Sequence, residues 1–301
     1  MPITRLEQMI DALKSRPRKR LIAAYANDAH TIAAVSRAVE LGIVEGTLVG
    51  DREKIAAACK EAGIDPGRLA IVHEPDEGKA TALAVAMVSS GEGQILMKGL
   101  VSTDKYMRAI LDKERGLMDP GAILSHVSVI ENPRYHKLIV CGDVAVIPQP
   151  ELKEKIAIAQ YLIRTAHALG IERPKLAVVA ASEQVLPKMQ ACVDAAILAK
   201  MAERGQLKGA IVDGPLGLDA AIDSEAAKIK GIGGEVAGDA DCLLFANIEA
   251  GNVFYKTNTK LAGAELAAMV AGARAPAILS SRGDSVATKT YSIALGALTA
   301  S

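Results

Sequence analysis

The 301-residue chain has very few aromatic residues, which make up 3% of it, and it has no tryptophan. Half of its residues are nevertheless hydrophobic, so alanine, valine, isoleucine and leucine must build the core. These residue types are typical of buried parallel strands covered by alanine-rich helices. The composition therefore favours an α/β fold, and the length allows two domains of about 150 residues each.

The chain also lacks net charge, because 35 lysine and arginine residues balance 35 aspartate and glutamate residues. Without an overall basic field we expect no nucleic-acid partner, and any site for a polyanion has to be local. The sequence has no apolar run of the roughly 18 residues that a membrane span needs, and its first residues lack the apolar core of a signal peptide. We therefore expect no membrane partner and a cytoplasmic location.

Paired cysteines are missing as well, since the four that occur are scattered: Cys59, Cys141, Cys192 and Cys242. We expect reduced core thiols, and Cys242 is a poor nucleophile because its apolar surroundings raise a thiol pKa. Asp239 and Asp241 precede the run that contains Cys242, while Glu249 follows it. This separation is too large for one small cation, so we expect no metal ion.

Nine apolar runs recur along the chain, and most of the segments between them have helical periodicity. The runs lie at residues 21–26, 47–50, 69–73, 94–98, 137–140, 176–180, 210–213, 242–246 and 277–280. The periodicity predicts helices over 28–41 and 150–170, and a helix capped by Asp104. Alternating strands and helices predict two domains with mainly parallel sheets flanked by helices.

Residues 123–147 interrupt this alternation. Two strand-like segments there flank a turn at residues 131–134, which predicts a hairpin. We place the junction between domains at this hairpin. The prediction is one α/β domain from residues 1–121 and 276–301, which carries the loop after residue 279, and a second from 122–275.

The loop that follows the last apolar run is rich in groups that bind anions. It contains Ser281, Arg282 and Asp284, and a predicted helix begins after Ser285. A loop at the carboxyl end of a parallel strand, next to the free N–H groups of a helix, suits a phosphate or an oxyanion. The alternative is that Asp284 or Ser285 only caps the helix and that Arg282 is solvated.

A second loop of this kind follows residues 94–98. Lys98, Ser102, Thr103 and Arg108 are spaced so that all four could contact one anion. The spacing of a Walker A loop is absent. The alternative is a solvated loop whose polar residues cap the next helix.

Further candidate ligands follow two other predicted strands. Asp213 stands where the run 210–213 stops before a Gly-Pro turn, and it could orient a substrate group or cap its own turn. Asn247, Glu249 and Asn252 follow the run 242–246 and could face the same crevice. His126 is flanked by serines within an apolar strand, where a buried structural histidine is the alternative.

Taken together, five motifs resemble those of the phosphate acyltransferase family. They are Leu-Met-Lys-Gly (96–99), Leu-Ser-His-Val (124–127), Val-Asp-Gly-Pro-Leu (212–216), Asn-Ile-Glu-Ala-Gly-Asn (247–252) and Ser-Arg-Gly-Asp-Ser (281–285). The resemblance covers nearly the whole chain, in order. It implies transfer of a butyryl or acetyl group between coenzyme A and inorganic phosphate. It also implies a fold like isocitrate or isopropylmalate dehydrogenase, an active site in the interdomain cleft, and a homo-oligomer.

The resemblance also implies roles for individual residues. In the phosphate acetyltransferase branch, the Ser-Arg-Gly motif supplies an oxyanion-stabilising serine and a phosphate-binding arginine, which correspond here to Ser281 and Arg282. A second arginine of that branch corresponds to Arg108. The aspartate that is proposed to accept the thiol proton is replaced by Thr288, and Asp284 is the nearest substitute. The coenzyme A thioester would be a substrate, and no cofactor would be permanently bound.

Three alternatives stay open. One is an NAD-dependent hydroxyacid dehydrogenase of the same fold, although the glycine cluster at 231–234 does not follow a strand as a dinucleotide loop requires. Another is an acyltransferase that uses acyl carrier protein and phosphate. The last is a non-catalytic module that binds acyl-CoA, which the threonine at position 288 favours.

Overall fold

A computed structural model describes residues 2–279 and 283–301 of the chain. These residues form alternating helices and strands, which confirms the α/β class. They divide into two compact units, a terminal unit of Leu6–Leu124 with Ala267–Ser301 and a central unit of residues 2–5 with Ser125–Leu266. The domain boundaries near residues 122 and 276 stay a prediction, because a division by contacts does not test independent folding.

The terminal unit has a mainly parallel sheet. Numbered along the whole chain, its strands are β1 (Lys19–Ala24), β2 (Val44–Gly50), β3 (Ala70–His73), β4 (Ile95–Lys98), β10 (Glu265–Ala271) and β11 (Ala277–Ile278). Its helices are α1 (Leu6–Lys14), α2 (Ala29–Glu40), α3 (Arg52–Ala62), α4 (Glu77–Ser89), α5 (Thr103–Leu111) and α11 (Val286–Thr299). The strand order is β3-β2-β1-β4-β11-β10, in which β10 is antiparallel to β11 and the other pairs are parallel.

The central unit repeats this architecture. Its strands are β5 (Ser125–Glu131), β6 (Ile139–Gly142), β7 (Lys175–Val179), β8 (Ile211–Leu216) and β9 (Cys242–Leu244). Its helices are α6 (Leu152–Ala168), α7 (Gln190–Glu203), α8 (Leu218–Ile222), α9 (Ser224–Ile229) and α10 (Ile248–Lys260). In the order β5-β6-β9-β7-β8, the pair β5–β6 is antiparallel and the others are parallel. The predicted hairpin is thereby confirmed.

Aliphatic side chains fill the core of both units, as the composition predicts. Leu21 and Leu96, on neighbouring strands of the terminal sheet, are fully buried. Burial of one such side chain contributes about 1.5–3 kcal/mol. Tyr106 of α5 is also buried, and its hydroxyl donates a hydrogen bond to the Ile278 carbonyl oxygen, 3.2 Å away. Among the described residues, no helix has the length and apolar character needed to cross a bilayer.

The structure corrects three predictions about elements. Ser102, rather than Asp104, caps α5, since its Oγ accepts the backbone N–H of Lys105 at 3.3 Å. Strand β8 does not stop at Asp213 but continues to Leu216, because β8 is the outermost strand, where a proline breaks no ladder. Strand β10 was not predicted, because four of its seven residues are alanine or glutamate, which are depleted in strands.

Candidate active site

The carboxyl ends of three strands meet at one edge of the terminal sheet. Ala24 of β1 lies beside Lys98 of β4, and Met97 lies beside Ile278 of β11. The loops that follow these strands therefore begin next to one another, and they lead into α2, α5 and α11. The amino ends of three helices converge on an edge of this kind, and they favour an anion there.

Gly99 lets two of these loops approach closely. Its N–H donates to the Ala24 carbonyl oxygen at 2.9 Å, and the next N–H, of Leu100, donates to the Tyr25 carbonyl oxygen at 2.9 Å. A Cβ atom at position 99 would lie 2.6 Å from the Tyr25 oxygen and 2.7 Å from the Ala24 oxygen, closer than such atoms can approach. The predicted Lys-Gly pair is thus fixed against the loop after β1.

A cavity of about 200 Å³ opens at this edge. Residues from α2 and α11 and from the loop after β4 line it: Asp28, His30, Thr31, Lys98, Gly99, Leu100 and Lys289. Lys98 and Lys289 are only 4% and 3% exposed, which is rare for lysine. Burial lowers the pKa of Lys289, while the nearby charges of Asp284 and Asp28 oppose this shift. The cavity therefore combines two buried cationic side chains with one carboxylate.

Asp28 caps α2 and also lines the cavity. Its Oδ1 atom accepts the backbone N–H of Thr31 at 2.9 Å. Sequence reasoning found Lys98 but missed Asp28 and Lys289 as site residues. The available signal for Lys289 was that it is the one charged residue of an otherwise apolar or hydroxylic helix. For Asp28, the signal was its place between the apolar run 21–26 and the start of a predicted helix.

Ser102, Thr103 and Arg108 are also predicted to bind phosphate, but they are not among the described residues that line this cavity. The Ser102 hydroxyl caps α5, and Thr103 is exposed at the start of that helix. Arg108 has a side chain that is 79% exposed, and its Nε donates to Asp104 Oδ1 at 3.0 Å. Phosphate binding by these three side chains stays a prediction.

The three predicted catalytic residues, Ser281, Arg282 and Asp284, fall between β11 and α11 in the sequence. Ser281 and Arg282 lie outside the described residues. Asp284 is described, and its charge acts on Lys289 of the cavity. Ser285 caps α11, because its Oγ accepts the backbone N–H of Thr288 at 3.0 Å. Ser285 rather than Asp284 therefore caps this helix, and a catalytic role for Asp284 stays a prediction.

The carboxyl edge of the central sheet is organised by Asp143, a buried residue that sequence reasoning missed. One of its oxygens, Oδ2, accepts from Ser125 Oγ at 3.0 Å and from the His126 N–H at 3.1 Å. The other, Oδ1, accepts the N–H groups of Ala145 and Val146 at 2.7 and 2.9 Å. Asp143 therefore ties the start of β5 to the loop after β6.

Four predicted ligands lie at this carboxyl edge of the central unit. His126 is buried, with its Nδ1 3.3 Å from Ser128 Oγ and its ring edge-on to the ring of Tyr255. Asn247 caps α10, and Asn252 Nδ2 donates to the Val144 carbonyl oxygen at 3.0 Å. Glu249 is exposed on the first turn of the helix.

Asp213 lies apart from these four residues, on the outer strand β8, and its Oδ1 accepts the N–H of Gly214 at 2.8 Å. The binding roles of all five residues stay predictions. The thiols of Cys141 and Cys242 are buried, and burial raises the pKa of each well above its ordinary value. Neither thiol is therefore suited to nucleophilic attack.

Comparisons with known proteins identify related families. A family model described as "Phosphate acetyl/butaryl transferase" matches residues 70–297. The chain is 45% identical to a phosphate butyryltransferase of Clostridium acetobutylicum, over 99% of both chains. It is 42% identical to a phosphate acetyltransferase of Thermotoga maritima, over 97% of this chain and 99% of the relative.

Solved structures give a similar result. A branched-chain phosphotransacylase from Enterococcus faecalis V583 matches with a TM-score of 0.82 and 29% identity, over 93% of this chain and 98% of that one. A 4-hydroxythreonine-4-phosphate dehydrogenase from Burkholderia phymatum matches with a TM-score of 0.53 and 15% identity, over 95% and 99%. At this identity the second likeness shows the fold alone.

Proposed function

The chain belongs to the phosphate acetyl/butyryl transferase family, and from this premise we propose that it transfers an acyl group between coenzyme A and inorganic phosphate. Acyl-CoA and phosphate give acyl phosphate and CoA, and the reaction is reversible. The observation that carries the proposal is the cavity in which Lys98 and Lys289 are buried. Buried ammonium groups bind oxyanions by charge-assisted hydrogen bonds, which are stronger than neutral ones.

The proposed reaction is a direct attack within a complex of both substrates. A phosphate oxygen forms a bond to the thioester carbonyl carbon, and the carbonyl oxygen becomes an oxyanion. Ser281 would stabilise that oxyanion, and Arg282 would hold the phosphate together with the lysines. The carbon–sulfur bond then breaks, and the thiolate of CoA leaves. Positioning and charge stabilisation supply most of the acceleration in such a reaction.

The reverse direction needs the thiolate of CoA. A thiol with a pKa of about 8.5 is a few per cent ionised at neutral pH, so a strong base is not required. We assign Asp284 as the proton acceptor, because it is the nearest carboxylate to Ser281 and Arg282 in the sequence and its charge acts on Lys289 of the cavity. The proton released from the thiol would pass to this carboxylate and then to solvent.

Further contacts belong to the proposal in two groups. Ser102, Thr103 and Arg108 would approach the phosphate from the start of α5. Five residues of the central unit would contact coenzyme A or the acyl group: His126, Asp213, Asn247, Glu249 and Asn252. Four of these lie at the carboxyl edge of the central sheet, where ligands bind in open α/β folds.

We also propose that the acyl group is short, acetyl or butyryl, because the relatives at 45% and 42% identity are named for these two groups. A homo-oligomer is part of the proposal, and it is supported by the exposed apolar side chains of Ile229, Val253 and Leu261. The cytoplasmic location is supported by four free, buried cysteines.

The test is to measure the release of free thiol from acetyl-, butyryl- and hexanoyl-CoA by the purified protein, with and without phosphate. We expect release only when phosphate is present, with a rank order that identifies the preferred acyl length. Release of thiol without phosphate would indicate a thioesterase. No release with any thioester, together with reduction of NAD by hydroxyacids, would instead support the dehydrogenase, which the family assignment does not favour.

A further inference from the structure

Only one oxygen of the Asp28 carboxylate accepts a hydrogen bond from the described residues. Its Oδ1 atom caps α2 through the Thr31 N–H, at 2.9 Å. Its Oδ2 atom is buried and has no hydrogen-bond partner within residues 2–279 and 283–301. A buried acceptor without a donor is costly, by about 1–3 kcal/mol, and such an atom calls for an explanation. Since Asp28 lines the cavity, a donor could reach it from there.

The same cavity carries two features that suit a tetrahedral oxyanion. Lys98 at the end of β4 and Lys289 on α11 both line it, and both side chains are buried. Its volume of about 200 Å³ is several times the roughly 30 Å³ that one water molecule takes up in the liquid. A negatively charged oxygen of the ligand would face the ammonium groups, but it would repel Asp28. The ligand therefore has to present a proton to Oδ2.

This requirement separates two common oxyanions of similar size and charge. Near neutral pH inorganic phosphate keeps at least one O–H group, whereas sulfate keeps none. Phosphate can donate that O–H to a carboxylate while its other oxygens accept from lysine. Sulfate can only accept, so one of its lone pairs would face a carboxylate oxygen without a proton between them.

We propose that Asp28 is a specificity-determining residue that makes the cavity select protonated oxyanions, phosphate and arsenate, over sulfate. The inference rests on the proposed function, because it assigns this cavity to the phosphate substrate. The Oδ2 atom of Asp28 accepts the O–H of the bound anion, and the lysines neutralise its remaining charge. Loss of one such buried hydrogen bond, with two acceptors left facing each other, corresponds to a preference of about 10- to 100-fold.

The experiment is to measure the dissociation constants of phosphate, arsenate and sulfate by calorimetry, for the wild-type protein and for Asp28→Asn. Asparagine is as good a helix cap as aspartate, so α2 is retained, while its amide presents an N–H where Oδ2 was. We expect the wild type to bind phosphate and arsenate at least tenfold more tightly than sulfate. In Asp28→Asn the three constants should agree within about threefold.

A matched control is Asp76→Asn, which changes another aspartate that caps a helix of the terminal unit, α4, away from the cavity. It should keep the wild-type preference. Equal binding of sulfate and phosphate by the wild type, or an unchanged preference in Asp28→Asn, would overturn the inference. Because binding is measured without acyl-CoA, failure of the transferase assay is a separate result. If the protein transfers acyl groups but binds sulfate as tightly as phosphate, the proposed function stands and this inference is wrong.

Discussion

The single residue Lys289 illustrates how a side chain placed at a binding site can lower the stability of the fold. It lies on α11 with a side chain that is 3% exposed, and burial lowers the pKa of its ammonium group. A lysine with a lowered folded-state pKa opposes folding at neutral pH, because the unfolded chain holds the proton more tightly. Such residues are retained at functional sites, where a buried charge acts on a ligand.

We therefore expect Lys289→Met to stabilise the protein while weakening phosphate binding. The free energy of unfolding should rise, because methionine carries no charge that has to be buried. The cost of burying the charged lysine falls as pH rises from the folded-state pKa towards the unfolded value of about 10.4, so the difference between the two proteins should shrink in alkaline solution. Urea unfolding at pH 7 and 10 checks this expectation. Lys60→Met, on the exposed side of α3, is the control and should change stability by less than about 0.5 kcal/mol. A destabilised Lys289→Met would contradict the argument.

At the scale of elements, Asp143 holds together the carboxyl edge of the central sheet. Its two oxygens accept five hydrogen bonds at 2.7–3.3 Å, four of them from backbone N–H groups. In Asp143→Ala these donors lose their acceptor in a largely buried place, so we expect the free energy of unfolding to fall by about 2–4 kcal/mol. Asp143→Asn keeps one acceptor oxygen and should lose less. Chemical denaturation of both variants measures the two losses, and equal losses would contradict a stabilising role for the hydrogen bonds to the retained oxygen.

A cluster of ion pairs connects neighbouring strands at the opposite end of the central sheet. Asp239 lies 2.9 Å from Lys137 and 2.6 Å from Lys175, and Lys137 also lies 2.7 Å from Asp241. Burial by itself raises the pKa of Asp239, but the hydrogen bonds and charges of the two lysines lower it to about 2. These contacts link the first residue of β7 to the segments before β6 and β9, so Asp239 and Asp241 hold three neighbouring strands together.

This cluster predicts a pH dependence. A carboxyl group with a lowered folded-state pKa stabilises the protein above its unfolded pKa of about 3.9, and that contribution is lost as pH falls towards 2. Asp239 is 37% exposed, so screening keeps the contribution below about 1 kcal/mol. Asp239→Asn should therefore be less stable than the wild type at pH 7 and equal to it near pH 2. The exposed Asp11→Asn serves as control, and a difference that persists in acid would count against the cluster.

An element can be predicted from the sequence when its own residues favour it, and it is missed when it depends on contacts with distant residues. Strands such as β1 and β4 are apolar runs bounded by turn residues, and their prediction needs no tertiary information. Strand β10 carries Ala267 and Ala268 in its centre, so it has little β-propensity of its own and depends on its pairing with β11. Caps are harder still, because Ser102 and Asp104 both suit a helix start, and the extended backbone of Ser102 decides between them.

The residues of the candidate site likewise fall into one that the local sequence predicts and two that it does not. Lys98 belongs to a loop whose composition indicates an anion, and it was predicted. Asp28 and Lys289 are 261 positions apart, and their shared cavity exists only because α2 and α11 both begin at the carboxyl edge of one sheet. No local pattern encodes that proximity. The family resemblance reaches further than local patterns because its motifs follow one another along nearly the whole chain.

At the scale of the whole molecule, the position of the cavity predicts how phosphate affects stability. Every residue that lines it belongs to the terminal unit. A ligand that binds the folded state at 100 times its dissociation constant stabilises that state by about 2.7 kcal/mol. We therefore expect phosphate alone to raise the melting temperature and to slow amide hydrogen exchange at residues 28–31, 98–100 and 286–290. Exchange at residues 143–147 and 247–252 of the central unit should not change.

Hydrogen exchange followed by mass spectrometry, with and without phosphate, measures both sets of segments in one experiment. Sodium chloride at the same ionic strength is the control for screening of surface charges, and Lys289→Met is the control for the cavity. The variant should show a smaller phosphate effect at residues 28–31 and 98–100, because it lacks one of the two buried cations. Protection that appears first in the central unit, or that chloride reproduces, would place phosphate elsewhere. Protection confined to the terminal segments would mean that the phosphate half of the site forms before coenzyme A binds.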